Sequence, residues 1–518
     1  MAHRRSRAVA ARKQHIASLA EPGEYSLEKV RFTRQDVAKL QTYIVGSVVA
    51  PWTPGYDKDR LLSDLVFQPY PVLIVYCQVF EDVWQCLAFA HRFDLHVVCR
   101  SGGHSTAGFS SETGAMVIDT SRVSYVAVDW ANRCARVGAG TSLGVLNGVL
   151  DSYKLHTPGG ACPNVCVAGH MMGGGYGWTS REYGMNCDNV LEVLVMLADG
   201  RTVRANSVLN PDLYWAVCGG TGNNFGVLLE ITYRLHELWK VWGFGLSYPL
   251  AKAPDALFAL QHDYMFGGAP DTFGYQVAWI TNNGEKRLVV RGTFHGTQDA
   301  GRALVAPLLK LPGATSEVDT IATYATLNEG LVDHPYAYPD VPDAAVEDKL
   351  SGYCAKLLDK TEWAALASAA ARDTSGWAFA NLEVYGGAIN SRAITSNAFV
   401  HRDVYFDWVQ DIFWVTDAQR TTAEQFLADM VTAWTPHLNG HANQDYPRRS
   451  QKDYRWLFFG NAFNTLLWAK QKYDPTNFFH YEQSISPYPP GEEPRDTSPS
   501  LFSDPGIVEE PYSQRIRG

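Results

Sequence analysis

The hydrophobic and polar positions of this chain fall into two regimes. From about Leu65 to Leu235, short apolar runs alternate with helical stretches and glycine-rich turns: LIVYC, EDVWQCLAFAHRF, LHVVCRSGGHS, VIDTSRV and LEVLVMLADG. Short β-branched runs bounded by turn signals predict strands, and the longer stretches between them predict helices. From about Trp239 to His437 the alternating segments lengthen. In GYQVAWITNNGEKRLVVRGTF, Asn283-Gly284 separates two β-rich runs and predicts a tight hairpin, and DAGRALVAPLLKL after it predicts a helix. A sheet covered by helices is the simplest architecture for this half. Further on, DYRWLFFGNAFNTLLWAKQKYDP predicts one helix stopped at Asp474-Pro475. The Pro-, Ser- and acid-rich stretch from Tyr488 predicts an extended tail.

The expected fold class is therefore α+β. The expected segments are an arm and domain start over 1–64, a first domain over 65–238, a second over 239–440, a returning strip over 441–487 and a tail over 488–518. At 518 residues the chain is long enough for two domains and a large buried cofactor. With 46% hydrophobic and 19% charged residues, and no apolar run of membrane-spanning length, it reads as a soluble globular protein. A formal net charge of −10 argues against nucleic acid as the main partner, because phosphate binding needs a basic surface. A small neutral substrate is expected instead, on a monomer or homodimer with no metal centre. Nine cysteines without a repeated spacing read as buried thiols rather than a disulfide scaffold, which favours the cytoplasm. The basic start, MAHRRSRAVAARKQ, has no apolar stretch after it and reads as a solvated arm.

Two glycine-rich loops carry the candidate chemistry. Arg100-Ser101-Gly102-Gly103-His104-Ser105 follows an apolar strand, and its paired glycines let consecutive backbone N–H groups converge on an anion such as a pyrophosphate. His104 stands where an imidazole nitrogen could attack an activated ring methyl group. The second loop runs from Gly159 through Cys162, Val165, Gly169, His170, Gly174 and Gly175 to Gly177. So many glycines serve neither a helix nor a strand interior, so this backbone lies against something flat or phosphorylated. A Cys162 thiolate over an electron-poor ring is a competent nucleophile. Taken singly, a His beside Gly-Gly is more often just a loop residue, and a single cysteine more often an inert buried thiol. A third turn, Gly138-Ala139-Gly140-Thr141-Ser142-Leu143-Gly144, imitates a dinucleotide-binding turn. Its spacing is wrong and no ribose-binding acid follows, so it is read as a strand-to-helix connection.

Together these loops resemble the vanillyl-alcohol-oxidase (PCMH-type) superfamily of FAD-binding enzymes, and within it the berberine bridge enzyme-like group. The resemblance runs from about Leu65 to Ser486 and extends to DLYWAVCGGTGNNFGVLLEITYRL, LEVYGGAIN and KYDPTNFFHYEQSISP. It implies a PCMH-type FAD domain interrupted by a substrate domain of antiparallel sheet and helices. It also implies FAD bonded through its 8α-methyl to His104 and through C6 to Cys162. Asn224, Gly226, Val227 and Asn477 join the two loops as cofactor-binding residues on the same grounds, and His170 supports the flavin. Val165 occupies a position where the group's oxidases tend to carry valine and its dehydrogenases leucine, which leans toward oxygen as acceptor.

The implied reaction is hydride transfer from a substrate C–H to the flavin, with a base taking the neighbouring hydroxyl proton and oxygen reduced to hydrogen peroxide. Glu383 matches the strand position of a carboxylate base. The group's late Tyr-X-Asn-Tyr segment is here Asn443-Gln444-Asp445-Tyr446, so the first tyrosine is missing. Tyr446, Tyr385 and Asp445 are the candidates to serve in its place. Cys218 and Thr221 also depart from the arginine and glycine common in the group. A sugar, an oligosaccharide or a bulky natural product is the expected substrate, with a dehydrogenase or an oxidative-cyclisation enzyme as the alternatives.

Overall fold

Three large sheets, beside a two-stranded pairing of His236–Glu237 with Leu155–His156, organise the chain, whose computed structural model describes residues 30–265, 268–333, 338–342, 345–487 and 506. The first is four-stranded, in the order Ser47–Val49, Leu73–Tyr76, Met116–Asp119, Val97–Arg100. Its last three strands are parallel, and helix Phe80–Phe93 makes the crossover that parallel pairing requires. The second sheet is antiparallel and five-stranded, ordered Val126–Asp129, Cys134–Gly138, Val227–Arg234, Val190–Met196, Thr202–Asn206. The third has seven antiparallel strands: Thr315–Thr323, Lys240–Pro249, Glu285–Phe294, Phe273–Asn282, Trp377–Val384, Phe406–Trp414 and Val346–Cys354. The expected α+β class, with a separate sheet-rich substrate portion under helices, is borne out.

The third sheet shows why its strands alternate. Along Trp377–Val384, Ala380, Leu382 and Val384 are buried in the apolar core that also contains Trp363 and Trp434 of the covering helices Lys360–Ala370 and Asp417–Trp434. Trp408 stacks on Trp434 with ring centres 5.2 Å apart. Leu382 and Val384 each contribute roughly 1.5–3 kcal/mol by burial there. Most of the chain's large aromatics serve such cores. The predicted hairpin is present: Asn283 at φ 50° and Gly284 at φ 84° form its two-residue turn.

One predicted helix is divided. Tyr454–Phe459 and Phe463–Tyr473 are separate helices, because Gly460 adopts φ 48° and ends the first. After the second, Phe479 pairs with Val97 at the first sheet, so the C-terminal strip closes back onto the start of the chain. All nine cysteines are free thiols. Among the described residues no helix is long and apolar enough to cross a membrane. The basic arm and almost all of the Pro-rich tail lie outside the described residues.

Candidate active site

The two glycine-rich loops meet. Strand Val97–Arg100 delivers Ser101 to Ser105, and Ser63 N–H donates to the Gly103 carbonyl at 3.1 Å to pin the turn. Gly103 takes φ 70°, a region that favours glycine. Gly102 packs so close to the second loop that a Cβ there would lie 3.1 Å from Cys166 N and 3.3 Å from Asn164 O. His104 and Cys162, far apart in sequence, thereby line one cavity.

The turn that imitates a dinucleotide site braces the second loop instead. At the start of helix Leu143–Ser152, Leu143 N–H donates to Val165 O at 2.8 Å and Gly144 N–H to Pro163 O at 2.9 Å. Helix N-terminal donors that could have met a phosphate are thus spent on the segment carrying Cys162 and Val165. His170 is held on the cavity wall by Gly160 N–H, which donates to its Nε2 at 3.0 Å. That bond places the ring proton on Nδ1, and burial lowers the imidazole's proton affinity to about 4, so His170 is neutral.

The opposite wall is the inner face of the seven-stranded sheet. Directly paired residues on antiparallel strands share a face, so register alone orders the wall into rows. One row runs Tyr353, Asp407, Glu383, Gln276, Arg291. The next runs Ser351, Val409, Asn381, Ala278, Val289, and a third Lys349, Asp411, Phe379, Ile280, Arg287. Gln276, Arg291, Asn381, Glu383, Val409, Lys349, Asp411 and Phe379 face the cavity, with Tyr338 and Trp178 beside them.

Glu383 is 4% exposed and accepts a 2.8 Å hydrogen bond from the Tyr446 phenol at Oε1, while its Oε2 has no partner among the described residues. Burial pushes this carboxyl up to about 7, against the lowering effects of the Tyr446 bond and the Lys349 charge. Burial and the Glu383 charge push the Tyr446 phenol well up. Lys349 lies 5.4 Å from the Tyr446 ring centre and pairs with Glu347 at 3.0 Å and Asp411 at 3.3 Å. Asp445 is half-buried and desolvation raises its carboxyl well above the usual range, its Oδ2 accepting from Gly175 N–H at 3.1 Å.

Ser101, Gly102, Gly103, His104, Ser105, Cys162, Val165, Gly169, His170, Gly177, Glu383, Asp445 and Tyr446 line the cavity as the sequence predicts. Others do not. Arg100 turns its guanidinium to Asp119, to the Asp59 carbonyl and to the Tyr76 hydroxyl, a buried structural network. Gly174 and Gly175 pack behind the wall against Phe399 and His170. Gly226 lies against Met196 where two strands pair, Val227 is core, and Asn477 forms a turn with Asp474. Asn224 sits behind Thr221. Tyr385 is fully buried with its hydroxyl 3.3 Å from that of Tyr353, which removes it as a candidate base. Asn443, at the missing tyrosine's position, does not reach the cavity: it donates to Asp407 at 3.1 Å and accepts from Asp445 N–H at 2.9 Å. The polar residues Gln276, Arg291, Lys349, Asn381 and Asp411 were not singled out from sequence. Their signal is a polar side chain at alternate positions of otherwise apolar strands.

The residues fit a flat, phosphorylated cofactor. A Cβ at Gly169, on the cavity wall, would meet no atom within 4 Å, so its side-chain space belongs to the cavity. Glycine backbone, serine hydroxyls and a neutral imidazole form one wall, and on the other the buried Oε2 of Glu383 and Oδ1 of Asn381 lack partners among the described residues.

Comparison with known proteins agrees. The FAD binding domain family matches residues 71–206, and the berberine and berberine-like family matches residues 443–486. A carbohydrate oxidase of Microdochium nivale is 27% identical over 466 residues, covering 84% of this chain and 92% of that protein. A chitooligosaccharide oxidase of Gibberella zeae is 27% identical over 485 residues, covering 87% and 93%. The structure of Physcomitrella patens BBE-like 1 superposes with a TM-score of 0.78 at 26% identity, covering 87% of this chain and 99% of that one.

Proposed function

Since the chain is a berberine bridge enzyme-like FAD-linked oxidoreductase of the PCMH superfamily, we propose that it is an oxidase. In this reading it takes a hydride from an alcohol-type carbon of a sugar, an oligosaccharide or a bulky natural product and reduces oxygen to hydrogen peroxide. FAD, when bound, supplies the hydride acceptor and the route of the electrons to oxygen.

The chain's own residues do the rest. His104 and Cys162 would hold the cofactor by two covalent bonds, at the 8α-methyl and at C6, as the resemblance implies. His170, neutral and fixed by Gly160, supports it. The Tyr446–Glu383 pair takes the substrate hydroxyl proton: Tyr446 passes its phenolic proton to Glu383 Oε1 and is refilled by the substrate oxygen, so the pair ends one proton richer. Burial keeps Glu383 poised near neutrality, where it is both ionised and basic enough to accept. The carboxamides of Gln276 and Asn381 beside Glu383 can each donate and accept, which suits a substrate with hydroxyl groups flanking the reacting carbon. Relatives named for carbohydrate oxidation support that class. Val165 on the cavity wall leaves room for oxygen.

The observation that carries the reading is the 2.8 Å bond of Tyr446 to a buried Glu383, facing the cavity that His104 and Cys162 also line. Purified protein assayed for peroxide against sugars, oligosaccharides and aromatic alcohols tests it. Peroxide formed at the turnover rate supports an oxidase, and turnover only with an added dye makes it a dehydrogenase.

A further inference from the structure

Thr221 is the one β-branched residue with positive φ among the described residues, at 67°. That region is strongly disfavoured for a branched side chain. It is also where the resembled group commonly carries glycine, which would occupy it without strain. The backbone is nonetheless locked there, Thr221 N–H donating to the Met172 carbonyl at 2.7 Å. A strained residue replacing an unstrained one calls for something its side chain does.

Its hydroxyl belongs to a three-residue cluster with Asn224 and Tyr481. Ile485 N–H donates to Asn224 Oδ1 at 2.8 Å, which orients that carboxamide and turns its Nδ2 toward the hydroxyls. Nδ2 donates to Thr221 Oγ1 at 2.9 Å, and its second hydrogen is shared between the Gly220 carbonyl and the Tyr481 hydroxyl, each at 3.4 Å. The two hydroxyl oxygens are 3.1 Å apart. Thr221 Oγ1 therefore accepts from Asn224, and only one of the two hydroxyl hydrogens can lie between the two oxygens. The other has no acceptor among the described residues, and Thr221 and Tyr481 both line the cofactor cavity. Lys470, donating to the Asn224 carbonyl at 2.7 Å, and the ring of Phe109, 5.0 Å from that of Tyr481, hold the cluster from two further sides.

We propose that Thr221 is a cofactor-positioning residue: with Asn224 and Tyr481 it presents one spare O–H donor to a hydrogen-bond acceptor of FAD, and the strained backbone is retained to place it. This rests on FAD as cofactor and not on the oxidase reading or the identity of the base.

The test separates hydroxyl from strain. In the full-length His104→Ala/Cys162→Ala chain the cofactor has neither proposed bond, so FAD titrated into the apoprotein binds reversibly and is followed by flavin fluorescence. Adding Thr221→Val, which keeps the branched shape and loses the hydroxyl, is expected to weaken FAD binding about tenfold. Thr221→Ser is expected to restore binding to within about threefold of the parent. Valine binding as well as the parent, or serine binding as poorly as valine, overturns the donor role. Should the valine variant not fold, Thr221→Ala against Thr221→Ser reads the same difference. For strain, Thr221→Gly and Thr221→Ala both lack the hydroxyl, and the glycine apoprotein is expected to melt a few degrees higher. Equal or reversed melting overturns the strain.

Discussion

Tyr446, on the C-terminal strip, donates its phenolic proton across 2.8 Å to Glu383, in the middle of the seven-stranded sheet. That bond joins a buried carboxylate and a half-buried phenol, the two groups of the proposed acid–base pair. Because the proposed base Glu383 would act when ionised and burial puts its midpoint at about 7, flavin reduction by substrate is expected to quicken as pH rises through about 7 and then level. Glu383→Gln is expected to slow reduction by about 10²–10⁴-fold and to abolish that rise. Stopped-flow absorbance across pH measures both.

Tyr446→Phe removes the hydrogen bond that holds the Glu383 carboxyl down. The acid limb of the same profile is then expected to move to higher pH, with the flavin-to-protein ratio unchanged. A profile displaced to lower pH contradicts the pairing.

Gly102→Ala forces a Cβ to within 3.1 Å of Cys166 N, where the His104 loop and the Cys162 loop touch. Backbone, not a flexible side-chain end, must yield. Flavin incorporation and the thermal midpoint are both expected to fall, read from the visible absorbance ratio and from calorimetry.

Lys470→Met tests the strip. Lys470 is 2% exposed, pairs with Asp474 at 2.6 Å and donates to the carbonyls of Asn224 and Phe479. Removing one partner of a buried pair is expected to cost about 3–5 kcal/mol, measured by denaturant unfolding.

Val165→Leu is expected to leave flavin reduction unchanged and slow its reoxidation by oxygen severalfold, because the larger side chain takes up cavity beside Cys162. Reoxidation followed after mixing reduced enzyme with aerated buffer measures it.

The parts of the site legible in sequence are those whose chemistry is local. Gly102-Gly103-His104 and the glycines around Cys162 announce close backbone approach without reference to the rest of the chain, and Asn283-Gly284 announces its own turn. Glu383 was legible through its match to the resembled group's carboxylate position, while Tyr385 stood two residues on as a candidate for the missing tyrosine's role. Only the fold shows that Tyr385 turns to Tyr353 while Glu383 faces the cavity. Gln276, Arg291 and Lys349 join Glu383 through strand register between distant segments, which no single stretch encodes. Arg100 sat in the right loop, but its partner Asp119 is on a neighbouring strand. The missing tyrosine at Asn443 also needed the fold, since that side chain braces Asp407 and Asp445 rather than meeting substrate.

The central claim is that one FAD is bonded to both His104 and Cys162, in the cavity that Tyr446 and Glu383 face. Proteolysis of the denatured protein followed by mass spectrometry tests it most directly. A single flavin is expected to bridge the peptide that contains His104 and the peptide that contains Cys162, reduced to a one-peptide adduct in Cys162→Ala. Flavin released intact on denaturation, or carried by neither residue, contradicts it.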